Sequence, residues 1–438
     1  MGGGATASPD PVLIAGAGPV GVTTALLLAR FGVPAVVLEA EAGPDQVGSK
    51  AICMQRDVLD VLDRVGVAEA MVAEGTTWTV GRTYYRDREL FTTSFPDPGG
   101  VGPPPWINIS QCSTEAHLLA RAAASPLVAL RWSHRVVGLS ARPGGVEVQV
   151  AGPSGEETLW GSHLVGADGA HSSVRALAGV DFPGRSFADR FLIVDVRADL
   201  GFPNERRFYF DPPWNPGRQV LIHECPGKVW RIDWQVPEDY DLDAEAASGA
   251  LDARIRKVVG DQAYEVVWRS VYRFSERVAE AFRVGRVALV GDAAHLYAPF
   301  GARGLNSGIQ DADNLAWKVA LVHRGWVGPE AAEVLLASFA VEREEAAAEN
   351  LAVTTATMDF LVPQTEAQWA WRRRILDRAL ADPAARAQVD SGKLAEPHVY
   401  AASPLTTPAP AGARLAPGAL CPDGPCPPAA GEGRLGGR

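Results

Sequence analysis

The chain has 438 residues, 47% of them hydrophobic and 21% charged, so it can bury a sizeable core and is unlike a disordered polymer. Its formal net charge of −11 excludes a basic nucleic-acid binder or a polybasic membrane-surface protein. No apolar run reaches the ~18 residues of a spanning helix, and the five cysteines (Cys53, Cys112, Cys225, Cys421, Cys426) carry neither metal-ligand spacing nor a disulfide framework.

Residues 1–10 form a Gly/Ala/Ser/Pro leader without the basic and apolar regions of a secretory signal, which predicts a cytoplasmic protein. Val12–Ala15 reads as a short buried strand, Val22–Arg30 as a helix stopped at Gly32, and Val33–Glu39 as a second strand. Such a βαβ start implies a parallel sheet. Arg56–Val65 has helical periodicity, and Trp78–Phe95 reads as strands. Ser113 is expected to cap a helix reaching about Ala124, followed by strands at Ala129–Trp132, Val136–Leu139 and Val146–Val150.

From Phe182 to about Phe274 the pattern changes to short alternating strands at Phe191–Val196, Arg207–Phe210, Gln219–His223 and Val229–Val236. This predicts an inserted antiparallel sheet. Trp230, Ile232 and Trp234 share one strand face and read together as core. Val287–Val290 returns to a buried parallel strand, and Ile309–Arg324 and Ala331–Leu351 read as long helices. The division expected is a leader at 1–10, a nucleotide-binding part at 11–180 with a strand excursion near 78–104, a substrate sheet at 181–275, a second nucleotide-binding part with helices at 276–400, and a loose Pro/Gly-rich tail at 401–438.

Gly16-Ala17-Gly18-Pro19-Val20-Gly21 is a GxGxxG set between a strand and a helix, the context that makes it a dinucleotide fingerprint. Gly16 serves the tight turn, and Gly21 lets helix and strand pack closely. Gly18 lets backbone meet a pyrophosphate, and a positive φ is expected there. Glu39, at the end of the second strand, is placed to accept from a ribose hydroxyl. The motif alone does not separate FAD from a nicotinamide dinucleotide.

Two later segments add to it: Asp168-Gly169-Ala170-His171-Ser172-Ser173-Val174-Arg175, and Gly291-Asp292 followed by Pro299-Phe300-Gly301-Ala302-Arg303-Gly304-Leu305-Asn306 and the Asp311–Lys318 helix. With the first fingerprint these resemble the three ordered motifs of the single-component, p-hydroxybenzoate hydroxylase-like flavin-dependent aromatic hydroxylases. Ser49–Cys53, Phe210–Pro213 and Pro299–Gly304 look like the 3-(3-hydroxyphenyl)propionate hydroxylase branch.

The resemblance implies an α/β fold: a Rossmann-like FAD-binding domain with an inserted antiparallel-sheet substrate domain and C-terminal helices. It implies FAD as cofactor, held through Gly16, Gly18, Pro19, Val20, Gly21, Glu39, Lys50, Gln111, Asp168, Asp292, Pro299, Gly301, Gly304, Leu305 and Asn306. NAD(P)H and O2 would be co-substrates, with Asp168 and Arg175 implicated in NAD(P)H docking. The chemistry implied is hydroxylation of a phenolic or other electron-rich aromatic through a flavin C4a-hydroperoxide. Asp292 can accept from the ribityl hydroxyls, and amides at Leu305 and Asn306 can stabilise charge on a reduced flavin. The glycines at Gly301–Gly304 suggest a mobile loop.

Four residues of the substrate region are candidates for the proton acceptor: His223, Tyr209, Tyr272 and Arg207. A polyketide or alkaloid tailoring oxygenase remains a rival reading, as does a non-catalytic FAD-binding protein. No metal is expected, a homo-oligomer is compatible with the chain, and the thioredoxin-like C-terminal domain of larger relatives is expected to be absent or truncated.

Overall fold

The computed structural model describes residues 10–44, 51–97, 102–409 and 412–421. Val12–Ala15 is the centre of a six-stranded sheet ordered 283–284, 287–289, 163–166, 12–15, 35–38, 128–131. All its pairings are parallel except the first, which is antiparallel. Its strands are continuous apolar runs because helices cover the sheet, and Val12, Leu13, Ile14, Leu164 and Val165 are almost wholly buried. The helix Pro19–Arg30 packs against the helices Gln111–Ala123 and Gly304–His323. The cap of the second is Ser110, which accepts from the Ser113 amide; Ser113, the expected cap, lies three residues inside. A three-stranded antiparallel sheet (135–142, 145–152, 155–161) flanks this half, its last strand unforeseen.

The second large sheet has eight strands, ordered 295–296, 264–278, 184–198, 229–236, 219–225, 206–210, 80–85, 88–94. It crosses the expected domain limits, taking two strands from the 78–104 excursion and one from the later nucleotide segment. It is not wholly antiparallel either: Arg206–Phe210 runs parallel to Val80–Tyr85, since no hairpin joins them. The helices Leu242–Ala247 and Ala250–Val259 close one face.

Period two divides this sheet, here called the roof. On the outer face Tyr209, Val220, Trp234 and Leu192 are successive partners, with Arg207, Ile222, Ile232 and Val194 beside them. Trp230, Ile232 and Trp234 are all buried there against Leu251, Ile255 and Val259, the joint burial expected of one face. On the inner face lie His223, Arg231 and Asp195 in one row and Phe208, Leu221, Asp233 and Ile193 in the next. That face looks toward the nucleotide half, where Phe300 packs its ring 5.5 Å from Phe191 and 6.2 Å from Phe208.

Among the described residues no helix is long and apolar enough to cross a membrane. The helix Pro329–Leu361 runs ten residues past its expected end at Leu351. The stretch from Ser403, expected to be loose, is tied back: Ser403 is buried and donates to Glu342, and the Tyr400 amide donates to the Gly418 carbonyl at 3.0 Å.

Candidate active site

The fingerprint turn is built by glycines of different kinds. Gly16 has φ +102°, and a Cβ there would lie 2.3 Å from the Ala167 carbonyl oxygen; a Cβ on Gly21 would lie 2.1 Å from that of Gly16. Both are packing requirements. Gly18 differs from expectation, with φ −67° and ψ 175°, an extended conformation open to any residue. A Cβ on it would meet nothing within 4 Å. What Gly18 keeps clear is the space in front of the helix Pro19–Arg30, whose first turn has neither a side-chain cap nor an acidic residue. Pro19 lacks an N–H, so Val20 and Gly21 supply the free amides at this positive helix end. The Val20 side chain packs between Gly291 and Gly308. Glu39 stands at the tip of the second strand, its carboxylate accepting from Ala17 N at 2.8 Å and Glu41 N at 3.0 Å, with lone pairs left over.

A second uncapped helix end is Gly304–His323, again without an acidic first turn. Gly304 has nothing within 4 Å of an added Cβ, and the amides of Gly304, Leu305 and Asn306 precede the first intrahelical bond, Ser307 N to Arg303 O. The Asn306 side chain is a clamp. It accepts from Gln55 N and donates to the Cys53 and Ala302 carbonyls, fixing the strand Cys53–Gln55 beside the loop. The loop itself is pinned where mobility was expected. A Cβ on Gly301 (φ +96°) would strike Arg303 and the Lys393 carbonyl, and Gly301 O accepts from Ala395 N. Pro299 is exposed at its edge.

Asp292 lies exposed on the turn Gly291–Ala293, held from beneath by a buried network. Asp311 accepts from Gly291 N at 2.9 Å, His295 Nε2 at 2.7 Å and Arg343 Nε at 2.6 Å, and Arg343 also donates to Tyr400 Oη. Burial works to raise the Asp311 carboxyl, but the Arg343 guanidinium, the His295 ring and the Gly291 amide beside it hold it below the usual range. Asp168 caps the helix Ser173–Leu177 through Ser172 and the Val174 amide. Arg175 is turned inward, donating to the Ala293 and Ala170 carbonyls with its guanidinium over Phe182, so it presents no exposed cation for a docking ligand. Gln111 accepts from Ala51 N and donates to Glu115. Lys50 falls outside the described residues, as does Cys426, while Cys421 is exposed.

The four candidate proton acceptors separate by face. Arg207 and Tyr209 are on the outer face, Arg207 paired with Glu205 and Tyr209 stacked on Tyr84, so neither faces the nucleotide half. Tyr272 and His223 are on the inner face. His223 is buried beneath the Trp78 ring, and burial with Arg206 and Arg231 beside it drives its proton affinity well below normal.

Other inner-face groups escaped the sequence reading. Asp233 Oδ1, His223 Nδ1 and both amide atoms of Gln55 and Gln219 are buried without a partner among the described residues. Asp233 keeps part of its surface accessible and faces Cys53, whose thiol donates to Asn108 and is pushed up to about 12 by burial. Burial raises the Asp233 carboxyl to about 7. The neighbouring Arg231 is already held by Asp195 through two 2.8 Å bonds. Arg206, also buried, donates to Ser391 O and has no carboxylate partner among the described residues. Orphaned buried polar atoms of this density cost too much to persist in a dry core, and they mark a face built to meet a polar ligand or ordered water. The signal was present in the strand Val229–Val236: the same alternation that buries Trp230, Ile232 and Trp234 outward puts Arg231, Asp233 and Gln235 inward.

Both halves of this arrangement have counterparts among known proteins. The profile of the family described as "FAD binding domain" matches residues 10–354. A 3-(3-hydroxy-phenyl)propionate/3-hydroxycinnamic acid hydroxylase of Mycolicibacterium smegmatis is 29% identical over 414 residues, covering 92% of this chain and 71% of that protein. A 12-dehydrotetracycline 5-monooxygenase/anhydrotetracycline 6-monooxygenase of Streptomyces rimosus is 32% identical over 367 residues, covering 80% and 70%. The crystal structure of the flavin-dependent monooxygenase PieE in complex with FAD and substrate superposes with a TM-score of 0.77 at 25% identity, covering 94% of this chain and 80% of that one. Across the first five curated relatives, the chain spans between 63% and 73% of their length.

Proposed function

The chain belongs to the FAD binding domain family, and on that premise we propose that it is a cytoplasmic FAD-dependent monooxygenase that uses NAD(P)H and O2 to hydroxylate a phenolic aromatic substrate. The observation that carries this reading is the opposition of two uncapped helix ends, kept clear by Gly18 and Gly304, to a roof face of buried, unpartnered polar groups. The residues suit FAD: open helix amides for its pyrophosphate, Glu39 for its ribose, Asp292 for its ribityl hydroxyls, and the Leu305 and Asn306 amides for the charged edge of its ring. Gln111 would add a contact at the strand edge. When bound, FAD supplies the reductive activation of O2.

The chain's own work is to exclude water and orient the ring. Phe191, Phe208, Phe274 and Phe300 form an apolar wall at the loop, and Trp78, Trp106 and Phe95 form another above His223. Docking of NAD(P)H would fall to the exposed rim of the Asp168–Arg175 segment, at His171, because the Arg175 guanidinium is committed inward. The tetracycline-type relative favours a second reading, a tailoring oxygenase of a larger polycyclic phenol. One experiment covers both: NADH and NADPH consumption by the purified protein with simple phenols, hydroxyphenyl-alkanoates and polycyclic phenols, with product mass read under labelled O2. A stimulation of about tenfold or more with one added oxygen atom supports the reading. Oxidation indifferent to every aromatic, yielding only hydrogen peroxide, overturns it.

A further inference from the structure

The inner face of the roof carries several polar groups that the cofactor does not need, and they differ in what they can do. Arg231 and Asp195 satisfy each other. His223 sits in the row with Arg231 and, two residues before Phe208, Arg206; flanked by two cations and buried, it stays neutral and is a poor proton acceptor. Tyr272 lies three strands away from Leu221, paired with Phe191 beside the phenylalanine wall. Asp233 remains. It occupies the next row, between Leu221 and Ile193, half-buried, with Oδ1 unpartnered among the described residues and near enough to Cys53 for the two to interact electrostatically. The strand Cys53–Gln55 that forms the opposite wall is clamped to the Leu305–Asn306 helix end by the Asn306 side chain. A ring held between roof and helix end would meet Asp233 from the roof and Gln55, with both amide atoms unpartnered among the described residues, from the strand Cys53–Gln55.

We propose that Asp233 is the catalytic proton acceptor, taking the hydroxyl proton of a phenolic substrate bound between the roof and the strand Cys53–Gln55. This rests on the phenol hydroxylase reading of the site. In the step, the phenolic O–H bond breaks and an Asp233 O–H bond forms, while the electron pair stays on the phenolic oxygen and enriches the ring toward an electrophilic oxygen. When the ring regains aromaticity after oxygen transfer, the C–H bond at the oxygenated carbon breaks and its proton goes toward the water formed from the second oxygen atom, while the Asp233 O–H bond breaks and returns its proton to the phenolic oxygen, so that Asp233 ends as it began. A carboxyl whose ordinary affinity is raised to about 7 by burial matches this exchange better than a surface carboxylate, because proton transfer is most efficient near the working pH. The groups bearing on its titration are Arg231 on its own strand, Asp195 on the adjacent strand, His223 and Arg206 along the roof, and Cys53 from the opposite wall. Burial is the largest influence and raises its proton affinity, while Arg231 lowers it and Asp195 raises it.

The test is Asp233→Asn, nearly isosteric, with FAD content and melting temperature measured alongside activity. Two substrate series are compared: phenols with ordinary hydroxyl acidity, and ring-fluorinated phenols already ionised at the assay pH. The variant should lose roughly a hundredfold or more in kcat with the first series and less than about threefold with the second. The rising limb of the wild-type kcat profile near pH 7 should vanish, and Asp233→Glu should restore part of the rate. Equal loss in both series, or no loss in either, overturns the assignment while leaving the hydroxylase reading intact. If the wild type turns over no phenol of either series, the reading of the site and the assignment fall together.

Discussion

The nucleotide half and the roof present ligand-facing groups by opposite means. In the nucleotide half the backbone does the presenting: glycines tighten the turn, two helix ends are left without caps, and side chains such as Asp311, Arg343 and Asn306 hold the loops from behind. In the roof the backbone is saturated by strand pairing, and alternate side chains do the presenting, as along Val229–Val236, where Trp230, Ile232 and Trp234 point outward and Arg231, Asp233 and Gln235 inward. A backbone device tolerates few residue types at fixed spacing. A sheet face tolerates many, since any polar residue on the correct parity will project into the cleft.

The sharpest way to break this contrast is to substitute two glycines three residues apart, Gly18 and Gly21. Gly21→Val should abolish the fold, because its Cβ would sit 2.1 Å from the Gly16 carbonyl oxygen where neither backbone can yield. Gly18→Val should fold and melt almost as the parent yet bind no FAD, since its Cβ enters open space and its φ of −67° suits valine. Melting temperature and flavin absorbance of the purified variants decide it. A Gly18→Val protein that remains yellow would remove the premise that this space holds a pyrophosphate.

The roof's matching substitution is Trp230→Ala. Trp230 is 2% exposed on the outer face, edge-on to Phe202, and its loss should cost about 3–5 kcal/mol in denaturant unfolding. Asp233→Asn, on the other face of the same strand, should cost far less. If the inner-face change destabilised as much as the outer-face one, the division of the sheet into a packing face and a ligand face would fail.

These differences account for what could be read from the sequence. Gly16–Gly21, Asp168–Arg175 and Gly291–Asn306 were legible because close backbone approach restricts residue choice, although spacing alone misassigned the positive φ, which belongs to Gly16 and not Gly18. The roof strands were legible from alternation, and their inward residues were not, because Asp233 and Gln219 look like ordinary polar positions until pairing shows which way they face. The joining of 80–85 to 206–210 was illegible for another reason. A parallel pairing between segments more than a hundred residues apart leaves no local signature. Ser403 was read as tail because its partner, Glu342, lies on a distant helix.

Acid sharpens the contrast further, since each half buries a neutral histidine. In the nucleotide half His163 is pushed down to about 3 by burial and by Arg286. A neutral-only native histidine keeps its full stabilisation above the unfolded value of 6.5 and loses it as pH falls toward 3, by up to about 1.4 kcal/mol per pH unit. Chemical unfolding of His163→Gln between pH 7 and pH 4 (roughly the span set by those values) should show a shallower decline than the parent. An unchanged slope would mean that His163 is reached by water in the native state.

A smaller effect is expected at Asp292, which lies exposed at the surface of the nucleotide half. Asp292→Ala should leave the apo melting temperature nearly unchanged and weaken FAD by roughly ten- to a hundredfold, the worth of a charge-assisted hydrogen bond of about 1.5–3 kcal/mol. Equilibrium dialysis of the flavin measures it. A loss of melting temperature with unchanged FAD affinity would place Asp292 among the supports, with Asp311, and not among the contacts.

The smallest effect concerns the C-terminal strap, which touches the nucleotide half from behind. Ending the chain after Pro408 removes the Gly418 carbonyl that accepts from Tyr400 N, one partly exposed backbone bond worth about 1 kcal/mol or less, and should leave FAD content within about twofold. Ending it after His398 also removes Tyr400 and Ser403. Arg343 Nη1 and Glu342 then each lose a partner, and a buried group left so costs about 1–3 kcal/mol. Because Arg343 also holds Asp311, and Asp311 holds the Gly291 amide, the shorter chain should lose flavin as well as stability. The roof meets this network at His295, on an edge strand three strands away from that of Trp230, so the burial of Trp230, followed by its fluorescence, should stay as it was until the whole protein unfolds. Equal flavin content in the two truncations would mean that the network behind Gly291 holds its shape without the strap.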